Sequence, residues 1–273
     1  MITFNNLGNL GRLANQMFQY ASLKGIAKNR GFDFVIPPES KFGEADSLVR
    51  SDPLNIHNCF YVGEHTQVGL FPQNMFAERM HTFDQELFEN CPDNVDLFGY
   101  YQTPKYFNHI EDEIRKDFSF SKELTDSCED VINNLGDDAI SLHIRRTDYK
   151  ANPNHPLQPI EYYQSALDKL PKDSPVIIFS DDHEWCENHE AFADDRFAVS
   201  NNAADFDLCL MGLCKYHIIA NSSYSWWGAW LSANKDKTVI APAQWFGKTG
   251  YTKNHDTKDL IPNDWTIIND GQE

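Results

Sequence analysis

Ala139-Ile-Ser-Leu-His-Ile-Arg-Arg-Thr-Asp-Tyr149 is the stretch on which the reading of this 273-residue chain turns. Ile140, Leu142 and Ile144 alternate with Ser141 and His143 at the period of a β-strand. Two adjacent arginines follow, then Asp148. In an open parallel sheet, ligands bind beyond the carboxyl ends of the strands. Guanidinium groups placed there offer fixed forks of donors that match phosphate oxygens and stay charged at any working pH. Asp148 is placed to orient one fork. The competing reading is a surface ion pair, and the rest of the chain decides between them.

From Gly136 onward the pattern is regular. A helix is predicted over 160–170, with Pro159 at its first turn. Strand Val176-Ile-Ile-Phe179 ends in Ser180-Asp-Asp182 and passes into a helix near His183. A short strand at 197–199 precedes a helix over 206–215. Strand His217-Ile-Ile-Ala220 ends in Asn221-Ser-Ser223 and enters a helix over 224–231, and strand 238–241 closes the series. Alternation of this kind calls for a doubly wound parallel sheet. Three strand ends then carry polar groups suited to a nucleotide: Arg145-Arg146, Asp181-Asp182 and Asn221-Ser222-Ser223. A carboxylate at 181 or 182 can accept from the guanine edge, which adenine lacks. The pair also suits a helix N-cap with first-turn charge.

Before Gly136 the chain is less legible. A strand at 2–4, a Gly- and Asn-rich loop, a helix over Leu13–Arg30 capped by Gly31, and a strand at 32–36 suit either an anion or sugar ring held on backbone N–H groups or a mere tight turn, the spacing not being that of the dinucleotide fingerprint. Residues 38–95 give only scattered aromatic runs. A strand at 95–101 and helices over 109–118 and 126–135 lead to an expected domain boundary at Gly136: residues 1–136, then 137–273.

Forty-one acidic side chains oppose 23 basic ones, a net charge of −18. That excludes a broad basic footprint for nucleic acid or an anionic membrane surface. An anionic small substrate needs a local concentration of cations, which Arg145-Arg146 supplies. The six cysteines show no framework or zinc spacing and read as free thiols. With neither a leader pattern nor a membrane-length apolar run, the expectation is a cytoplasmic protein without a transmembrane segment. Asp205-Phe-Asp207 has a spacing that can hold a metal on a nucleotide sugar. It opens a helix, so it reads as cap and dipole charge, and no metal site is expected. Trp226, Trp227 and Trp230 read as helix–sheet packing rather than a sugar platform.

Five segments together resemble the α-1,2-fucosyltransferases, inverting, GDP-fucose-dependent enzymes with the two-domain GT-B fold. They are Gly11-Arg-Leu-Ala-Asn-Gln-Met-Phe-Gln-Tyr20, Gly99-Tyr-Tyr-Gln-Thr-Pro-Lys-Tyr-Phe107, His143-Ile-Arg-Arg-Thr-Asp-Tyr149, Phe179-Ser-Asp-Asp182 and Ile219-Ala-Asn-Ser-Ser-Tyr-Ser-Trp-Trp-Gly-Ala-Trp230. The resemblance implies two Rossmann-like domains, an acceptor side at 1–136 and a GDP-fucose side at 137–273. It implies that Arg145 meets the β-phosphate of the leaving GDP, and that His143, Asp181 and Asp182 lie near the nucleoside. Asn15 and Gln16 are implied to face the donor. Arg146, Asn221, Ser222, Ser223 and Ser225 complete the expected donor set, with Arg145 and Asp148 as catalytic candidates. No cofactor or metal is implied, the donor itself being the substrate, and the expected partner is a galactose-containing acceptor. Two departures stand out: Ala14 and Thr147 occupy positions where the family commonly has Gly. The general base is left open between Asp148 and an acid or His of the first domain. A fucosyltransferase of another linkage, or a non-catalytic GDP-sugar or glycan-binding module, remains the alternative.

Overall fold

The computed structural model describes residues 1–41, 54–67 and 74–269. Two α/β units emerge, the first of residues 1–120 with 256–262, the second of residues 121–255 with the chain from 263 onward.

In the first unit β1 (Ile2–Thr3) leads through the glycine loop to α1 (Leu13–Arg30), with the bounds that the sequence predicts. Gly31 closes α1 at φ 67°, its N–H reaching the carbonyls of Ala27 and Lys28. Then come β2 (Phe34–Val35), the single-turn α2 (Ile56–Cys59), β3 (Asn74–Ala77), α3 (Gln85–Asn90), β4 (Val95–Phe98) and α4 (Glu111–Asp117). The four strands form a parallel sheet in the order β2-β1-β4-β3. Residues 42–53 and 68–73 of the illegible stretch 38–95 lie outside the described residues.

Helix α1 buries Gln16, Gln19 and Ser22 along with its apolar residues. The reason is that loops rather than strands dock there. Gln19 Nε2 donates to the carbonyls of Leu10 (2.9 Å) and Gly99 (3.0 Å), and Ser22 Oγ to that of Tyr101 (3.1 Å). At Gly25 a Cβ would lie 2.0 Å from Tyr106 O, so the close approach needs glycine. Two segments picked out by sequence, 11–20 and 99–107, thus pack on one another. Ala14 is an ordinary residue of this helix, so it carries no strain and improves helix propensity over glycine by ~1 kcal/mol.

In the second unit α5 (Lys122–Leu135) precedes β5 (Ile140–Ile144), α6 (Ile160–Leu167), β6 (Val176–Ser180), α7 (His183–Asn188) and β7 (Phe197–Val199). The chain continues through α8 (Ala204–Leu213), β8 (Tyr216–Ile218), α9 (Ser223–Leu231), β9 (Thr238–Pro242) and β10 (Thr266–Ile268). All six strands are parallel, in the order β10-β9-β8-β5-β6-β7. This is the doubly wound dinucleotide-fold order, and the direction of winding reverses between β5 and β8.

All five residues of β5 are buried, because helices cover both faces of a parallel sheet. Ile140, Leu142 and Ile144 pack with Tyr162, Tyr163 and Ala166 of α6 and Cys186 of α7. His143, on the other face, lies under α9. Trp226 and Trp227 of α9 are wholly buried, edge to face at 5.0 Å, with Trp265 packed 5.5 Å from Trp226. Packing is their role.

The boundary expected at Gly136 moves to residue 121. Helix α5 carries its buried residue, Cys128, against α8, where its thiol lies 3.6 Å from Phe206 O. The segment 256–262 joins the first unit, where Asp259 accepts the N–H of Phe83 (3.0 Å) and its carbonyl accepts Thr103 Oγ1 (2.6 Å). All six cysteines are free thiols. No helix of the described residues is long and apolar enough to cross a membrane.

Candidate active site

The switch point of the second sheet is where β5 and β8 part, and the two strand ends flank it with different chemistry. Beyond β5 the adjacent arginines diverge. Arg145 Nε lies 2.8 Å from Asp148 Oδ1 and 3.2 Å from Asp181 Oδ2, and its guanidinium stands 5.7 Å from the centre of the Tyr149 ring. The Tyr149 hydroxyl donates to Asn221 O beyond β8 (3.1 Å). Arg145 is therefore held on the switch-point side of its loop. Burial works against the guanidinium's charge, but Asp148 and Asp181 outweigh it and raise its pKa further.

Arg146 turns the other way. Its guanidinium lies 3.7 Å from the centre of the Trp185 indole, and its Nε donates to Asp182 Oδ2 at 3.0 Å. Lys150 Nζ reaches the same oxygen at 2.8 Å and, with Arg146, keeps Asp182 below the usual carboxylate range. Asp182 sits at the N-cap position of α7 but makes no side-chain cap. Its carboxylate serves the arginine instead.

Asp181 fastens the β5 loop. Oδ1 accepts the N–H of Arg146 (2.8 Å), while Oδ2 accepts the N–H of Thr147 (3.1 Å) and the Thr147 hydroxyl. Burial would raise this carboxyl, yet Thr147, Arg145 and the Arg146 N–H together pull it down. Thr147, where the family commonly has Gly, contributes a hydroxyl that glycine cannot.

Beyond β8, Asn221 directs its amide N–H groups to the carbonyls of Pro156 (3.0 Å) and Trp245 (2.9 Å), tying two loops to the switch point. Ser222 caps α9 by accepting the Tyr224 N–H. Ser223, half-buried, is the first residue of that helix, at its positive end. Ser225 Oγ lies 2.8 Å from His143 Nδ1. Burial first, and Arg145 second, push the His143 imidazole down to about 3, so it is a neutral hydrogen-bonding group at any working pH.

His143, Arg145, Asp148, Ser222, Ser223 and Ser225 are thus gathered around the switch point. Asp181 and Arg146 build its wall, and Asp182 builds it through Arg146. Of the first-unit pair, Asn15 is half-buried and accepts Gln102 Nε2 at 2.7 Å. Gln16 is fully buried, and its amide joins Gly11 O (3.3 Å) to the N–H of Ile56 (3.0 Å). Asp205 and Asp207 lie in the first turn of α8, whose N-cap is Ala203. Asp207 is buried, accepts Ser200 Oγ at 2.5 Å, and has its carboxyl pushed up to about 6 by burial.

Sequence reasoning gave no role to Tyr149, Lys150 or Trp185, and noted Thr147 only as a departure from the family pattern. The motif HxRRxDY contained the first and last of them. The stacking of Trp185 under Arg146 left no pattern to read.

His143 shares its buried, neutral state with His217, which burial also lowers to about 3. An unfolded imidazole takes up a proton below about pH 6.5 while these do not. Their contribution is complete above that pH and is lost as pH falls toward 3, by roughly 1.4 kcal/mol per pH unit per histidine. Urea unfolding at pH 7, 6 and 5 should therefore show a slope smaller by about that amount in His217→Leu. An unchanged slope would contradict the neutral, buried state.

A doubly wound nucleotide-type unit with a fixed arginine at its switch point, joined in one chain to a second parallel α/β unit, is the architecture of the GT-B fold class. The chain belongs to glycosyl transferase family 11, whose profile matches residues 2–269. The O-antigen biosynthesis glycosyltransferase WbnK of Escherichia coli is 35% identical, across 89% of this chain and 95% of that one. An alpha-1,2-colitosyltransferase of Escherichia coli is 31% identical, across 94% and 96%. A galactoside 2-alpha-L-fucosyltransferase of Bos taurus is 26% identical, across 81% and 62%. In fold, the chain resembles the crystal structure of POFUT1 in complex with GDP-fucose, at a TM-score of 0.55, 13% identity and 88% and 96% coverage.

Proposed function

We propose that the protein transfers L-fucose from GDP-β-L-fucose to O2 of a galactose, with inversion at the anomeric carbon. The observation that carries this reading is Arg145, fixed at Nε by two carboxylates at the switch point of a nucleotide-type sheet. Charge growing on the β-phosphate of the departing GDP would meet a guanidinium already in place, so no reorganisation is needed as the bond breaks. Ser223 and the positive end of α9 supplement it, and Asp148 orients it. The family and the relatives' α-1,2 activities support the linkage, and the bovine relative's name supports a galactoside acceptor.

The donor chemistry needs no metal on this reading, because the guanidinium takes the place of a divalent cation. Incubation with labelled GDP-fucose on an array of galactose-terminated glycans, with and without EDTA, tests both points. Label should appear on unsubstituted galactose and should be unaffected by EDTA. Turnover lost in EDTA and restored by Mg²⁺ or Mn²⁺ would overturn the arginine mechanism.

The colitosyltransferase relative favours a second reading for the donor sugar, GDP-colitose. Colitose is fucose without the 3-hydroxyl. A site that hydrogen-bonds that hydroxyl discriminates strongly, by ~10⁴ or more, whereas one that does not accepts both. The ratio of kcat/KM for the two donors decides the assignment.

A further inference from the structure

Among the side chains around Arg145, one has no part in anything above: His155. The guanidinium of Arg145 stands 5.7 Å from the centre of the Tyr149 ring, and an aromatic ring attracts a cation only while its face is turned toward it. The Tyr149 hydroxyl donates to Asn221 O at 3.1 Å. That bond fixes the end of the side chain but not its plane, because the oxygen lies on the axis about which the ring turns. The plane is set by what packs on the ring. His155 does so: its imidazole is stacked on Tyr149, with ring centres 5.0 Å apart and an angle of 19° between the planes.

His155 is in turn seated on a fixed frame. Its neighbour Asn154 clasps the segment that follows β9. The Asn154 carbonyl accepts the Gly247 N–H (2.8 Å) and the Thr252 hydroxyl (3.1 Å), and its Oδ1 accepts the Tyr251 N–H (3.0 Å). The two segments approach so closely that a Cβ on Gly247 would lie 1.9 Å from Pro153 O. One on Gly250, at φ 80°, would lie 2.3 Å from Asn154 Oδ1, so both positions require glycine. The Asn221 amide ties the same two segments together at Pro156 and Trp245. Phe246, of the clasped segment, packs against His155 with ring centres 5.6 Å apart.

The nitrogens of His155 do not explain its place. Nδ1 is buried with no hydrogen-bond partner among the described residues, a state that costs free energy rather than supplying it. Burial holds the imidazole below its usual pKa, with Asp148 opposing and Arg145 and His255 adding to the effect. A neutral ring brings no repulsion to the nearby guanidinium. What the residue supplies is a flat face.

We infer that His155 is a positioning residue for Arg145, acting through the plane of Tyr149. The segment after β9, remote in sequence from the arginine, thereby helps to aim the guanidinium at the departing diphosphate. Every residue in this chain of contacts belongs to the second unit. The role rests on the fucosyl transfer proposed above.

His155→Ala, His155→Phe, Arg145→Lys and the double variant of His155→Ala with Arg145→Lys, compared with the wild type for kcat, GDP affinity and melting temperature, test it. Misplacement of a catalytic group is costly, so His155→Ala should lower kcat by ~10-fold or more and GDP affinity by less than ~threefold. His155→Phe keeps the flat face and should recover most of the lost kcat. In the Arg145→Lys background His155→Ala should cost less than ~twofold more, because no planar fork is left to aim. If it costs as much there as in the wild type, His155 acts independently of the arginine and the role is overturned. His155→Phe as slow as His155→Ala also overturns it, since the work would then belong to a ring nitrogen. A wild type that transfers no fucose overturns the function and this role together. A wild type that transfers it, with His155→Ala lowered in melting temperature but within ~threefold in kcat, overturns the role alone.

Discussion

Arg145→Lys should lower kcat by ~10² or more, almost as far as Arg145→Ala, while GDP affinity falls by less. On the proposed function, retaining the charge should not suffice. Asp148 and Asp181 both hold the Nε edge of the guanidinium, at 2.8 and 3.2 Å, which fixes the plane of the fork. Lysine has no such edge to grip and no planar pair of donors to present. An ammonium there keeps some attraction for a diphosphate in the ground state but loses the alignment on which transition-state stabilisation depends. On the proposed function, ground-state binding is shared with Ser223 and the start of α9, so it should tolerate the change better. Were Arg145 only half of a surface ion pair, its loss would cost under ~1 kcal/mol of stability and leave turnover intact. Measuring kcat, GDP affinity and melting temperature for both variants separates the two cases.

Asp181→Asn should weaken GDP, ADP and UDP by the same factor, ~10 or more, and lower the melting temperature. The carboxylate accepts from the Arg146 N–H, the Thr147 N–H and hydroxyl, and it faces Arg145 Nε. An asparagine amide offers one acceptor oxygen and turns N–H groups toward donors. The β5 loop would be unfastened, and with it the orientation of Arg145. The loss falls on the diphosphate, which all three nucleotides share. If Asp181 read the guanine edge, only GDP would weaken, down to the level of ADP. Calorimetry with the three nucleotides therefore tells an anchor from a base reader. The anchor is the role that the hydrogen bonds describe.

Much of the second unit was legible because its local signals agree. The period of Ile140, Leu142 and Ile144 is that of a strand, Pro159 and Ser222 stand at helix starts, and polar strand ends recur at regular intervals. What could not be read was direction. Arg145 and Arg146 are neighbours of one type, yet one is turned to the switch point by Asp148 and Tyr149 while the other is turned away by Trp185 and Asp182. Asp181 and Asp182 suited a base reader or a helix cap on sequence grounds. They became anchors through bonds to residues more than thirty positions away, Thr147 and Arg146.

In the first unit the signals conflict. Polar residues on α1 look solvent-facing until the loops that need Gln19 and Ser22 are in place. The strands β1 and β2 have two residues each, too short for any period. Likewise, the boundary at Gly136 followed a true helix end, but the helix before it packs into the next unit through Cys128. Tertiary contact overrode a correct local reading.

The stereochemistry of the product tests the central claim most directly. The protein, GDP-β-L-fucose and a β-galactoside acceptor would be followed by NMR from mixing to completion. The account predicts a single new anomeric signal of α configuration, correlated across the glycosidic oxygen with C2 of galactose, appearing in step with free GDP. A β anomer, a bond to another position, or GDP released with no sugar transferred would contradict it.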